Sequence, residues 1–209
     1  MVMQLEIEFF PYPVFIGTVL LIAMIIRKWR MDHSWPYLLF FSILWVYFLV
    51  ILKIIFFPIR IPEDWPGSIS VQNTLDTLSR INLIPLYFGN LFTTNAAVIF
   101  RQFIGNILLT MPFGFLLPFL VRVPARRGFL IALFTGLALE GAQLLISLLS
   151  IICKYGHSID INDVILNAIG VIVGFGGFRS FVWLYRILIS RFQVPTNDLF
   201  QFIHKVTLQ

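Results

Sequence analysis

The stretch GFLIALFTGLALEGAQLLISLLS, Gly128–Ser150, decides the fold. A helix crossing a bilayer needs about 17–25 mostly apolar residues, and this run has that length. It holds one acid, Glu140, near its middle, and Gln143 and Ser147 follow on the same helical face. A charged side chain at the centre of a membrane helix costs roughly 2.5–3.5 kcal/mol on insertion scales. A carboxyl group placed there is a functional-site candidate by default.

Four further runs of similar character lie on either side, near Phe9–Ile26, Trp35–Ile55, Asn95–Val121 and Val164–Tyr185. Hydrophobic residues make up 59% of the chain and charged residues 12%, against about 25% charged in an ordinary soluble domain. The expected fold class is therefore all-α: an integral membrane bundle of five transmembrane helices, forming a single domain over residues 1–209. The net charge of +5 does not point to nucleic acid, because the basic residues cluster beside the spans. A lone cysteine, Cys153, rules out an internal disulfide and a Cys-based zinc site. Pro11 and Pro13 open the first span, which does not read as a signal peptide because no basic residue precedes it.

Charge placement orients the bundle. Arg27, Lys28 and Arg30 lie between spans one and two, and Arg122, Arg126 and Arg127 between three and four. Arg179, Arg186, Arg191 and Lys205 follow on the C-terminal side. The positive-inside rule then predicts an external N-terminus and a cytoplasmic C-terminus, in a multi-pass plasma-membrane protein.

Two regions do not span. Residues 57–94 form a long external segment in which Val71, Leu75 and Leu78 recur at helical spacing, predicting a short surface helix. The Ile81–Pro85 stretch after it is too apolar for an ordinary loop and is expected to dip into the bundle mouth. The tail after Arg186 is expected to rest on the cytoplasmic leaflet, with an interruption at Pro195.

Polar rows mark three of the spans. Gln102, Asn106 and Thr110 share one face, and Glu140, Gln143 and Ser147 share another. Asp163, Asn167, Gly170, Gly174 and Gly177 form a stripe in the last span, polar at the top and small below, which admits a close neighbouring helix. Counting about 1.5 Å per residue from each helix end places Asn167 near the outer surface and Glu140 near mid-membrane. The expected picture is an outward-opening cavity with Glu140 at its floor.

Plainer readings stand beside this one. Asp160 and Asp163 sit where a helix starts and would stabilise it as caps. Asn106, Gln143 and Asn167 would serve as interhelical hydrogen-bond glue. Pro112 and Gly114 would kink the third span, and the many Phe residues would face lipid. Glu140 would stay protonated against Gln143 or Asn106, or pair with Arg80 or Arg101. His157, Asp160 and Asp163 lack a second histidine, so no metal and no cofactor are expected. No histidine shares the depth of Ser147, so a Ser–His arrangement is absent.

A family resemblance rests on these same residues. Asn82–Pro85, Gly105–Leu109, Pro112–Pro118, Glu140–Gln143 and Asp160–Gly170 follow one another in the order and spacing of the VanZ-like family, over about residues 40–178. The resemblance implies a bacterial membrane protein associated with teicoplanin-type glycopeptide resistance. Gly156-His157 stands where the family often has Arg, so any anion held there would be bound weakly, or only by a protonated imidazole.

Three functions are weighed. In the first, the cavity binds a membrane lipid, a lipid-linked cell-wall intermediate or a glycopeptide antibiotic, through Asn82, Arg101, Gln102, Asn106, Glu140, Gln143, Asp160, Asp163 and Asn167. In the second, an enzyme modifies an envelope lipid with Glu140 as acid or base. The third, a small transporter, would need an inward-facing counterpart or an inverted repeat, and neither is visible.

Overall fold

A computed structural model describes residues 5–61, 71–79, 81–87, 96–148, 152–153, 160–191 and 197–208. Among the described residues, five helices are long and apolar enough to cross a membrane, as the sequence predicts. They are α1 (Tyr12–Arg30), α2 (Trp35–Phe56), α4 (Ala96–Leu116), α5 (Ala125–Leu148) and α6 (Ile161–Arg191). A short α3 (Val71–Ser79) lies between α2 and α4, and α7 (Asp198–Thr207) follows α6. A 3-10 turn, Leu117–Phe119, ends the third crossing. The prolines at the head of α1 are tolerated because first-turn amides have no partner within the helix.

One small sheet adds to the helices. Strands β1 (Leu5–Ile7), β2 (Ile59–Ile61) and β3 (Ile152–Cys153) pair antiparallel with β2 in the middle. They join the N-terminus, the segment after α2 and the segment after α5, so these lie on one face of the bundle. The segments carrying Arg27, Arg122 and Arg186 lie at the other, which we call the basic face.

The tightest packing is between α4 and α6. A Cβ on Gly114 would fall on the Val171 carbonyl oxygen, and one on Gly170 would meet the Ile107 carbonyl and the Thr110 hydroxyl. One on Gly174 would strike the Met111 carbonyl and come within 2.8 Å of the Phe115 amide. The glycine stripe thus brings two backbones into contact, a recurrent device where lipid removes the hydrophobic drive between helices. Gly177 is not part of it: its Cβ would make an ordinary contact with the Phe115 ring, at 3.6 Å. Gly136 does the same work on α5, facing the Val164 carbonyl of α6. Val171 ends fully buried. The α2 side is closed by Ile51, Ile55 and Phe56 against Leu109, Leu139 and Ile146.

Two expectations change. Phenylalanine is not only lipid-facing bulk: Phe40 stacks on Phe119 at 4.2 Å, and Phe178 meets Phe119 edge-on at 5.1 Å. These rings fill the space between α2, α4 and α6 near the basic face, and Phe119 is buried. The tail does not simply lie on the membrane. It turns back as α7, where Trp35 donates to Asp198 at 3.1 Å and the Tyr185 hydroxyl to the Phe200 carbonyl at 3.2 Å. Pro195 lies outside the described residues. The surface helix predicted from Val71, Leu75 and Leu78 is present as α3, with those side chains exposed.

Candidate binding site

The site is built where α6 begins. Its first turn needs acceptors for amides that no preceding turn can satisfy. Asp160 supplies one, accepting from the Asn162 amide at 2.8 Å, and so acts as a cap. The same oxygen accepts from the Asn82 side chain at 2.9 Å, and the Ile161 amide donates to the Asn82 carbonyl at 2.9 Å. The segment 81–87 is thereby tied to the head of α6 by hydrogen bonds, but the apolar side chains expected to dip into the bundle mouth, Leu83 and Ile84, stay exposed, because polar and main-chain groups make the tie.

Asn162 completes the tie. It is almost fully buried; its Oδ1 accepts from the Leu86 amide at 2.6 Å and its Nδ2 donates to the Tyr87 carbonyl at 2.8 Å. Leu86 has φ of 63°, a left-handed conformation that costs a residue with a Cβ about 1–2 kcal/mol. The bond from Asn162 helps hold it there. Sequence reasoning does not single out Asn162, since it falls beside the Asp163–Asn167 stripe and bonds to a loop. Its one legible signal is its place inside the Asp160–Asp163 run.

On the next face α6 meets α4. Asn106 donates to Asp163 at 2.6 Å, and Gln102 also reaches the Asp163 carboxylate. One turn further along, the Thr110 hydroxyl donates to the Asn167 carbonyl at 2.7 Å. Thr110 is fully buried and Asn167 nearly so. From α5 comes Glu140, 6% exposed, with the Asp160 main chain in hydrogen-bond reach and Asp163 close enough to act on its charge.

The depths differ from those expected. Gly136 faces Val164, so one turn on, in antiparallel sense, Glu140 lies level with the first residues of α6. Helix α5 continues eight residues beyond Glu140, roughly 12 Å at 1.5 Å per residue. The head of α6 is therefore recessed, and Asp160 and Asp163 lie beside Glu140, not above it. Asn167 and Thr110 therefore lie deeper than Glu140. Counting each helix from its own end assumes level ends, which these helices do not have.

The structure thus gathers Asn82, Gln102, Asn106, Glu140, Asp160, Asp163 and Asn167 in one place. Gln143 and Ser147 are half-buried on the Glu140 face, one and two turns nearer the end of α5. Arg101 lies on α4, but its side chain falls outside the described part, and Arg80 and His157 lie outside the described residues. Two acceptors among the described residues of this cluster, Glu140 Oε2 and Asn167 Oδ1, are buried without a hydrogen-bond partner. Carboxyl and amide oxygens gathered where polarity is low attract hydroxyl donors, ammonium groups or protons.

Among the described residues, five helices of membrane length and apolar composition mark a multi-pass membrane protein. The chain belongs to the VanZ/LLP1 family, whose model matches residues 40–188. That range takes in every residue of the polar cluster and leaves α1 and α7 outside. Comparison with curated proteins and with solved structures gave no match.

Proposed function

We propose that the protein lies in the bacterial plasma membrane with its N-terminal face outward. In this reading the polar cluster holds the head group of a membrane lipid or lipid-linked cell-wall intermediate. Its cellular effect is a lowered susceptibility to teicoplanin-type glycopeptides, in keeping with the family resemblance. The observation that carries the reading is the pair of unpartnered buried acceptors, Glu140 Oε2 and Asn167 Oδ1. A buried polar atom without a partner costs about 1–3 kcal/mol, which a ligand with hydroxyl or ammonium donors offsets. Amide donors and acceptors beside them suit sugar and peptide groups.

Mass analysis of lipids that co-purify with the full chain tests this. Wild type is expected to retain a lipid with a sugar, peptide or amine head. Glu140→Gln, which keeps shape and some hydrogen bonding, should retain part of it, and Glu140→Leu should lose it. Identical lipid complements in wild type and Glu140→Leu would sink the proposal. A second reading, an enzyme using Glu140 as acid or base, is favoured by one carboxylate oxygen remaining free beside a second acid. It predicts a membrane lipid altered by wild type and left unaltered by Glu140→Gln.

Sidedness is tested separately. In a Cys153→Ser background, Glu8→Cys should react with an impermeant maleimide in intact cells, and Arg126→Cys only after permeabilisation. The reverse pattern would place the polar cluster on the cytoplasmic side and exclude a role with extracytoplasmic wall intermediates.

A further inference from the structure

A second cavity, of about 820 Å³, opens at the basic face between the start of α5, the second half of α6 and the end of α7. Arg122, Arg127, Arg179 and Arg186 line it, and none of the described residues around it is Asp or Glu. Ile172, Phe175 and Val182 of α6 and Phe129 of α5 supply apolar wall. The lining runs along α6 from Ile172 to Arg186, roughly 21 Å at 1.5 Å per residue. Its membrane-side end is apolar and the arginines enter only from Arg179 onward, about 10 Å further along the axis. Gly176 opens the wall between them: a Cβ there would meet nothing within 4 Å.

We propose that this cavity binds an anionic phospholipid, with its phosphate among the arginines and an acyl chain along Ile172 and Phe175. Guanidinium groups match phosphate oxygens in a planar, bidentate way that ammonium groups do not. Arginines at the ends of membrane helices also arise simply from the positive-inside rule. That rule does not account for four of them on one cavity without an acid, nor for the apolar wall continuing into the membrane. Basic pockets between transmembrane helices are recurrent sites for anionic head groups. Arg186 is already fixed by a bond to the Thr207 carbonyl, so α7 closes one side of the cavity and holds that arginine in place.

The test is native mass spectrometry of the full chain taken from bilayers of equal phosphatidylglycerol and phosphatidylcholine. Wild type should carry phosphatidylglycerol in preference. Arg127→Gln and Arg179→Gln should each lower that adduct about fivefold, the weight of one arginine near a membrane surface. Gly176→Leu puts a larger side chain into the cavity from a Cβ that meets nothing within 4 Å, removes no charge, and should sharply lower the adduct. Arg27→Gln with Arg30→Gln, which remove charge from the same face outside the cavity, should leave it unchanged. Millimolar inorganic phosphate should not displace the lipid. Equal retention of the two lipids overturns the proposal, as does an equal effect of the Arg27 and Arg30 changes. Displacement by phosphate with Gly176→Leu inert would reassign the cavity to a free anion. If an arginine variant fails to fold, Gly176→Leu and the phosphate competition decide.

Discussion

Gly174→Leu is expected to lower the melting temperature of the purified protein steeply, because it drives apart the two most closely packed helices. The added side chain starts on the Met111 carbonyl and 2.8 Å from the Phe115 amide. These are main-chain atoms, so no rotamer change makes room, and α4 must move away from α6. Ordinary overpacking costs about 1–3 kcal/mol, and a backbone clash belongs at or beyond the top of that range. For a chain of this size about 3 kcal/mol corresponds to roughly 6–12 °C. The displaced helix also carries Asn106 and Thr110 away from Asp163 and Asn167, so the hydrogen bonds joining α4 to α6 are lost with the packing. Gly105→Leu and Gly141→Leu serve as controls, since a Cβ at either position meets nothing within 4 Å. They should shift stability by no more than about 0.5 kcal/mol. Differential scanning fluorimetry in detergent measures all three. A Gly174→Leu protein that melts with its controls would show that α4 and α6 do not approach as described.

Asn162→Leu should free the segment 81–87 while leaving the bundle folded. The change removes the acceptor for the Leu86 amide and the donor to the Tyr87 carbonyl. Both residues have exposed surface, so their main-chain groups can turn to water, and the loss falls near about 1 kcal/mol per bond. Two such bonds correspond to roughly a thirtyfold rise in local opening. Leu86 then relaxes from its left-handed conformation, which makes reclosure less favourable still. Asp160 retains its own bond to Asn82, so the start of α6 stays in register. Amide hydrogen exchange should accelerate over 81–87 and hardly at all over 164–185. Asn162→Asp keeps the acceptor and loses the donor, so it should fall between. Unchanged exchange in the segment would mean that Asn162 does not hold it.

Much of the fold was legible because lipid imposes a simple rule on a chain. Backbone groups must be satisfied within each span, so five apolar runs of membrane length read directly as five helices. Asn106 and Asp163 were legible as members of converging polar rows because polar groups in consecutive spans seek one another when no water is near, but that Asn106 bonds Asp163 and not Glu140 was not legible. The glycines at 170 and 174 were legible too, because small residues on a helical stripe announce a close neighbour. None of these readings required knowledge of which helix packs on which.

Depth and partnership were another matter. Hydropathy locates a helix within the chain but not the height at which it starts, and only the fit of Gly136 against Val164 sets α6 lower than α5. That offset moves Asp160 and Asp163 down beside Glu140 and sets Asn167 deeper than either. Asn162 became a structural tie only once a loop nearly eighty residues away in sequence folded over it. The cluster of phenylalanines and the return of α7 were hidden for the same reason. An apolar side chain reads alike whether it meets lipid or another ring, and only tertiary contact decides between them.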